Sequence, residues 1–142
     1  MGVVLSQGSM KRVRLPEFIE VLVPTRDRTG KRLSAAKQRE WKERLAYFLL
    51  QNIKVTGFQE SQREGVWSQG RQDLREYDAE RDRLFLVRET VNVIRASCTA
   101  HQLDTFRKRG EEFLVQMGRA LNQEAVAYET RGGLTILTDF ER

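Results

Sequence analysis

Apolar and polar residues follow two different periods along this chain, and the order of those periods predicts its elements. The run Phe18-Ile19-Glu20-Val21-Leu22-Val23 is dense in β-forming residues. Pro24 closes it, because a residue without an N–H cannot join a ladder. Over residues 34–50 the period becomes helical: Trp41, Leu45, Phe48 and Leu49 form one apolar stripe. Lys37, Arg39, Glu40, Lys42, Glu43 and Arg44 largely fill the other faces, and Ser34 can cap the start. Extended segments are predicted over residues 55–68 and 84–94, the first kinked at Gly65 and the second bulged near Glu89-Thr90. A second helix over residues 100–121 carries Leu103, Phe106, Gly110, Phe113, Leu114, Met117 and Leu121 on one stripe, between a Thr99 cap and Asn122. Residues 125–130 read as another strand, Arg131-Gly132-Gly133 as a hairpin turn and residues 134–138 as an edge strand.

Strand, helix, two strands, helix, strand is the order of an α+β domain on the ferredoxin-like split βαβ plan. Such a domain has an antiparallel sheet with two helices on one face, here with an extra C-terminal β-hairpin. The strand ending in Val23-Pro24, the Gly57…Gly65-Val66-Trp67 segment and Asn122-Gln123-Glu124-Ala125-Val126-Ala127 together resemble a loose group of small uncharacterised bacterial proteins of that plan. The resemblance spans most of the chain after Met10. It implies fold and strand order and carries over no catalytic residue. The plan hosts unrelated activities, so function has to be read from particular side chains.

A length of 142 residues suits one domain with a real core. Gly8-Ser9-Met10 reads as a cloning scar before a start at Met10, so residues 1–9 are set aside as an expression tag and residues 10–142 are taken as a single domain. Met1-Gly2-Val3-Val4-Leu5-Ser6 also fits an N-myristoylation pattern, with Lys11, Arg12 and Arg14 as a basic anchor, but the pattern is short and easily met. No apolar run reaches the roughly 20 residues of a membrane-spanning helix, and no membrane partner is expected. The formal net charge of +5 permits an acidic partner without demanding one, because acids and bases are interleaved. Cys98 is the single cysteine, so an internal disulfide is excluded and a cytoplasmic location is expected.

Candidate chemistry is sparse. His101 is the only histidine and lies near Cys98 at the start of the second helix, where a lowered thiol pKa is physically reasonable. A nucleophilic pair also needs an orienting group and an oxyanion site, and neither is visible. One Cys and one His fall two ligands short of a structural zinc site, so neither metal nor cofactor is expected. The carboxylates between Glu60 and Asp82 alternate with arginines, which favours an ion-paired, solvent-exposed arm over residues 71–83. Arg26, Arg28, Lys31 and Arg32 form the best anion-binding patch, on a loop over residues 25–33 just before the first helix. Leu84-Phe85-Leu86-Val87-Arg88 lacks the Lys/Arg-Gly-Phe/Tyr run of an RNA-recognition strand.

Trp67, Tyr77, Phe85 and Tyr128 carry a different expectation. If they face outward with Leu22 and Val87 on the uncovered side of the sheet, that face is too apolar for a free monomer. Pairing with a second copy or another protein would bury it. The sequence reading is therefore a non-catalytic interaction or assembly module, not an enzyme, working as a homodimer or a subunit of a larger complex. The alternatives are a nucleic-acid-binding protein using the 25–33 loop and a small enzyme using Cys98 and His101.

Overall fold

The sheet is built outward from two apolar strands. A computed structural model describes residues 10–68 and 86–138. In it β1 (Glu17–Val23) and β3 (Leu86–Cys98) pair antiparallel, from Glu17 opposite Cys98 to Val23 opposite Asn92. β2 (Gln59–Ser68) lies on the other side of β3, while β4 (Ala125–Thr130) pairs with β1 and β5 (Gly133–Thr138) forms the edge beyond β4. The order β2-β3-β1-β4-β5 is antiparallel throughout, which is the ferredoxin-like plan with an added hairpin.

β3 runs past Ile94 to Cys98 because, as a central strand, it has a partner on both sides. The expected kink at Gly65 and bulge at Glu89-Thr90 are absent: pairing is regular from Gln59 opposite Arg95 to Ser68 opposite Leu86. A glycine in a strand fits an unbroken ladder when its neighbours hold the register.

α1 (Ala35–Phe48) starts where Ser34 Oγ accepts from the Lys37 N–H at 3.1 Å. It widens into a π-helical turn, Leu49–Ile53, and stops at Lys54, which takes a left-handed conformation at φ 66°. The second helix comprises α2 (Ala100–Thr105), a π-helical turn Phe106–Gly110 and α3 (Glu111–Ala120). Its first turn is a capping box. Thr99 Oγ1 accepts from the Gln102 N–H at 3.1 Å, and Gln102 Oε1 accepts from the Thr99 N–H at 2.8 Å. Asn122, at φ 51°, ends it as expected.

Both helices cover one face of the sheet. Trp41, Leu45, Leu49 and Ile53 from the first helix meet Leu103, Phe106, Leu114, Met117 and Leu121 from the second over Ile19, Val21, Ile94 and Val126. Phe113 bridges the helices, stacked on Phe48 at 4.7 Å and edge-on to Trp41 at 5.8 Å. No helix among the described residues is long and apolar enough to cross a membrane.

Candidate functional site on the open face

Strand alternation sends Glu20, Arg95, Arg63 and Glu129 to the face that the helices leave open, and the register brings them together. Glu20 on β1 stands opposite Arg95 on β3 and opposite Glu129 on β4. Arg63 arrives from β2 and must cross β3 to reach Glu20. It does so with both terminal nitrogens, Nη1 to Oε2 at 2.8 Å and Nη2 to Oε1 at 3.0 Å. Arg95 Nη1 donates to the same Oε1 at 3.3 Å. The Arg95 guanidinium also lies 3.8 Å from the centroid of the Phe18 ring.

Glu20 is only 4% exposed, although no helix covers it. A carboxylate so enclosed needs partners, and the two guanidiniums provide them. The Arg63 hydrogen bond holds the Glu20 carboxyl below the usual carboxylate range; burial opposes this, and the Arg63 and Arg95 charges reinforce it. Glu20 in turn raises the Arg63 guanidinium. The arginines remain half-open to solvent, at 52% and 43% side-chain exposure, so the cluster is closed below and accessible above.

Arg95 also walls a cleft of about 270 Å³, together with Thr56, Gly57, Phe58, Gln59 and Ser97. That volume lies just under the lower end for small-molecule sites. The cleft forms where the chain leaves the first helix and enters β2, beside the C-terminal half of β3. It combines hydroxyl and amide side chains, one aromatic ring and one cation.

The residues singled out from the sequence lie elsewhere. In the basic loop, Arg26 Nη1 donates to the Gly30 carbonyl at 3.0 Å and Arg28 Nη2 to the Gln123 carbonyl at 2.9 Å, while Lys31 and Arg32 stay exposed. Asp27 organises the loop by accepting from the Thr29 hydroxyl and from the Thr29 and Lys31 N–H groups. Its carboxyl is lowered chiefly by the Thr29 hydroxyl. Glu89 Oε1 clasps the loop from β3, accepting from the Thr25 and Arg26 N–H groups at 3.1 and 3.0 Å.

Tyr128 does not face outward. It points under the helices, 1% exposed, edge-on to Phe106 at 5.1 Å and donating to Glu111 Oε2 at 2.5 Å. Burial raises its phenol, and the Glu111 bond adds to this. Trp67 is described by its backbone alone, paired with Val87, and Tyr77, Phe85 and the charged 71–83 arm lie outside the described residues. Cys98 is fully buried against the helices; burial first, then the Glu17 charge, pushes its thiol up to about 11. That is the opposite of the activated thiol that a Cys98–His101 pair requires, and His101 itself is exposed. No group of three or more potential metal ligands occurs among the described residues.

The open-face cluster was not anticipated, yet it left a signal. Glu20 is the one charge inside the β1 apolar run, and Arg95 interrupts Val91-Asn92-Val93-Ile94 in the same way. Opposite charges set into two neighbouring apolar strands are a cross-strand pair waiting for a register.

No family model matches this chain, and no curated protein does. Two solved structures share its fold. One is a phage SAM lyase in complex with S-methyl-5'-thioadenosine, at 13% identity over 93% of this chain and 97% of that chain, with a TM-score of 0.56. The other is a phage SAM lyase in the apo state, at 15% identity over the same shares, with a TM-score of 0.54. Both are enzymes, and they overturn the expectation of a non-catalytic assembly module. The open face explains the error. The one aromatic expected there whose side chain is described, Tyr128, lies in the core, and charged side chains occupy the centre of the face instead.

Proposed function

We propose that this protein is an enzyme that cleaves S-adenosylmethionine to S-methyl-5'-thioadenosine, and that the cleft beside Arg95 holds the nucleoside. The observation that carries the reading is the shared fold over nearly the whole of both chains with a phage SAM lyase, one structure of which contains S-methyl-5'-thioadenosine. The cleft supplies polar side chains, one aromatic ring and one cation beside each other.

Releasing S-methyl-5'-thioadenosine breaks the bond between the sulfonium sulfur and the γ-carbon of the amino-acid chain. The bonding pair goes to sulfur and cancels its positive charge. The four-carbon remainder is then completed in one of two ways. It loses a β-proton to a base, or its own carboxylate oxygen closes on the γ-carbon to give a lactone. Glu20 is clamped by two guanidiniums and is a poor proton acceptor. The second route therefore suits this face better, since it asks the protein for orientation and not for a base.

Incubating the purified protein with S-adenosylmethionine and separating the products by chromatography tests this. Protein-dependent accumulation of S-methyl-5'-thioadenosine is expected, with homoserine lactone as its partner. If no thioadenosine forms, and neither compound shifts the melting temperature, the proposal is wrong.

A further inference from the structure

We propose that Arg95 is the receptor for the ligand's α-carboxylate, held in place by Glu20 as a positioning residue, so that the cleft selects nucleosides that carry a free amino-acid end. The inference rests on the nucleoside reading above and adds which end of the molecule meets which side chain.

Four observations carry it. Arg95 belongs both to the ion cluster and to the cleft wall, so its guanidinium lies where the two meet. It uses Nη1 on Glu20, which leaves Nε and the second Nη without a partner among the described residues. A guanidinium offers donors in a planar fork that matches a carboxylate, so these remaining donors suit one. The group is also fixed in advance, gripped at its edge by Glu20 at 3.3 Å and underneath by Phe18 at 3.8 Å. Preorganisation of that kind lowers the cost of binding.

Arg63 adds to the same effect. It takes both Glu20 oxygens in a bidentate pair, so the cluster holds two cations against the one carboxylate they share, and the surplus positive charge falls on the Arg95 side. Glu129, opposite Glu20 on β4, adds a favourable charge interaction to Arg63. An incoming anion therefore meets its most favourable partner at the cleft mouth.

Isothermal titration with three probes tests the assignment. S-Adenosylhomocysteine carries the carboxylate but no sulfonium, S-methyl-5'-thioadenosine lacks the carboxylate, and inorganic phosphate is a different anion. Wild-type protein should bind S-adenosylhomocysteine about tenfold more tightly than S-methyl-5'-thioadenosine, the effect of one charge-assisted hydrogen bond. Arg95→Met should abolish that preference, costing S-adenosylhomocysteine more affinity than thioadenosine; Arg95→Lys, which keeps the charge without the fork, should retain part of it. Glu20→Gln should cut the preference about threefold, again taking more from S-adenosylhomocysteine than from thioadenosine. A purely structural role would weaken both nucleosides by the same factor and leave the preference intact.

A preference that survives Arg95→Met overturns the assignment. So does phosphate competing as strongly as the homocysteine compound, which would make the site a general anion site. If thioadenosine binds and the preference is absent, only the carboxylate assignment fails. If no nucleoside binds the wild type, the nucleoside reading fails, and this inference with it.

Discussion

Replacing Glu20 by Gln removes one charge from a cluster whose geometry allows the consequence to be worked out. The carboxylate accepts hydrogen bonds at 2.8, 3.0 and 3.3 Å from two guanidiniums. Glutamine keeps one acceptor oxygen and turns its amide N–H₂ toward donors that have nothing to accept with. Hydrogen bonds to charged groups contribute about 1.5–3 kcal/mol each, but both arginines stay half-exposed and regain water when released. The discounted net loss is about 1–2 kcal/mol, or a melting temperature lower by about 3–8 °C for a domain of this size. Because the folded-state carboxyl is held below its ordinary value, its contribution is complete above the usual glutamate range and disappears as pH falls through the folded pKa. Thermal melts of both proteins at pH 7 and pH 3 therefore make the test. The gap between them should be open at pH 7 and narrower at pH 3. Equal stability at pH 7, or a gap unaltered at pH 3, refutes the assignment of Glu20 as the ionised centre of the cluster.

Two further outcomes follow from the covered face. A Cβ on Gly110 would lie 2.5–2.8 Å from the Phe106 ring, so Gly110→Ala should destabilise by about 1–3 kcal/mol despite alanine's better helix propensity. The penalty should vanish in a Phe106→Leu background, and a stabilising Gly110→Ala on its own in denaturant titrations would contradict the contact. Cys98, buried with its thiol at about 11, should resist a thiol-specific reagent at pH 8 and react at least about a hundredfold faster once denaturant exposes it. Rapid labelling of the native protein would refute the burial.

The elements were legible because their signals are local. Ser34 and Thr99 cap where their hydroxyls precede an apolar stripe, and Val23-Pro24 ends β1. Periodicity alone fixed the stripe of Trp41, Leu45 and Leu49. What the sequence did not yield depends on pairing at long range. Arg63 and Glu20 are 43 residues apart and meet only because β3 runs between their strands in one register. Tyr128 was misplaced for a related reason. An alternating strand shows two faces, and only the β1–β4 register, which sets Tyr128 opposite the buried Val21, decides which is covered. The basic loop looked like an open cradle because its sequence shows the cations and hides the carbonyls that Arg26 and Arg28 bind.

The clasp of Glu89 on Thr25 and Arg26 joins positions 64 and 63 residues apart. Closing a free loop of that length costs on the order of 3–4 kcal/mol in chain entropy, more than a few half-exposed hydrogen bonds return. The clasp therefore cannot lead the assembly of the sheet. It snaps shut once the β1–β3 ladder has brought its two ends together, and it is released when that ladder frays at Val23 and Asn92. The arrangement of cations from Arg26 to Arg32 is thus coupled to the central strand pair through Glu89.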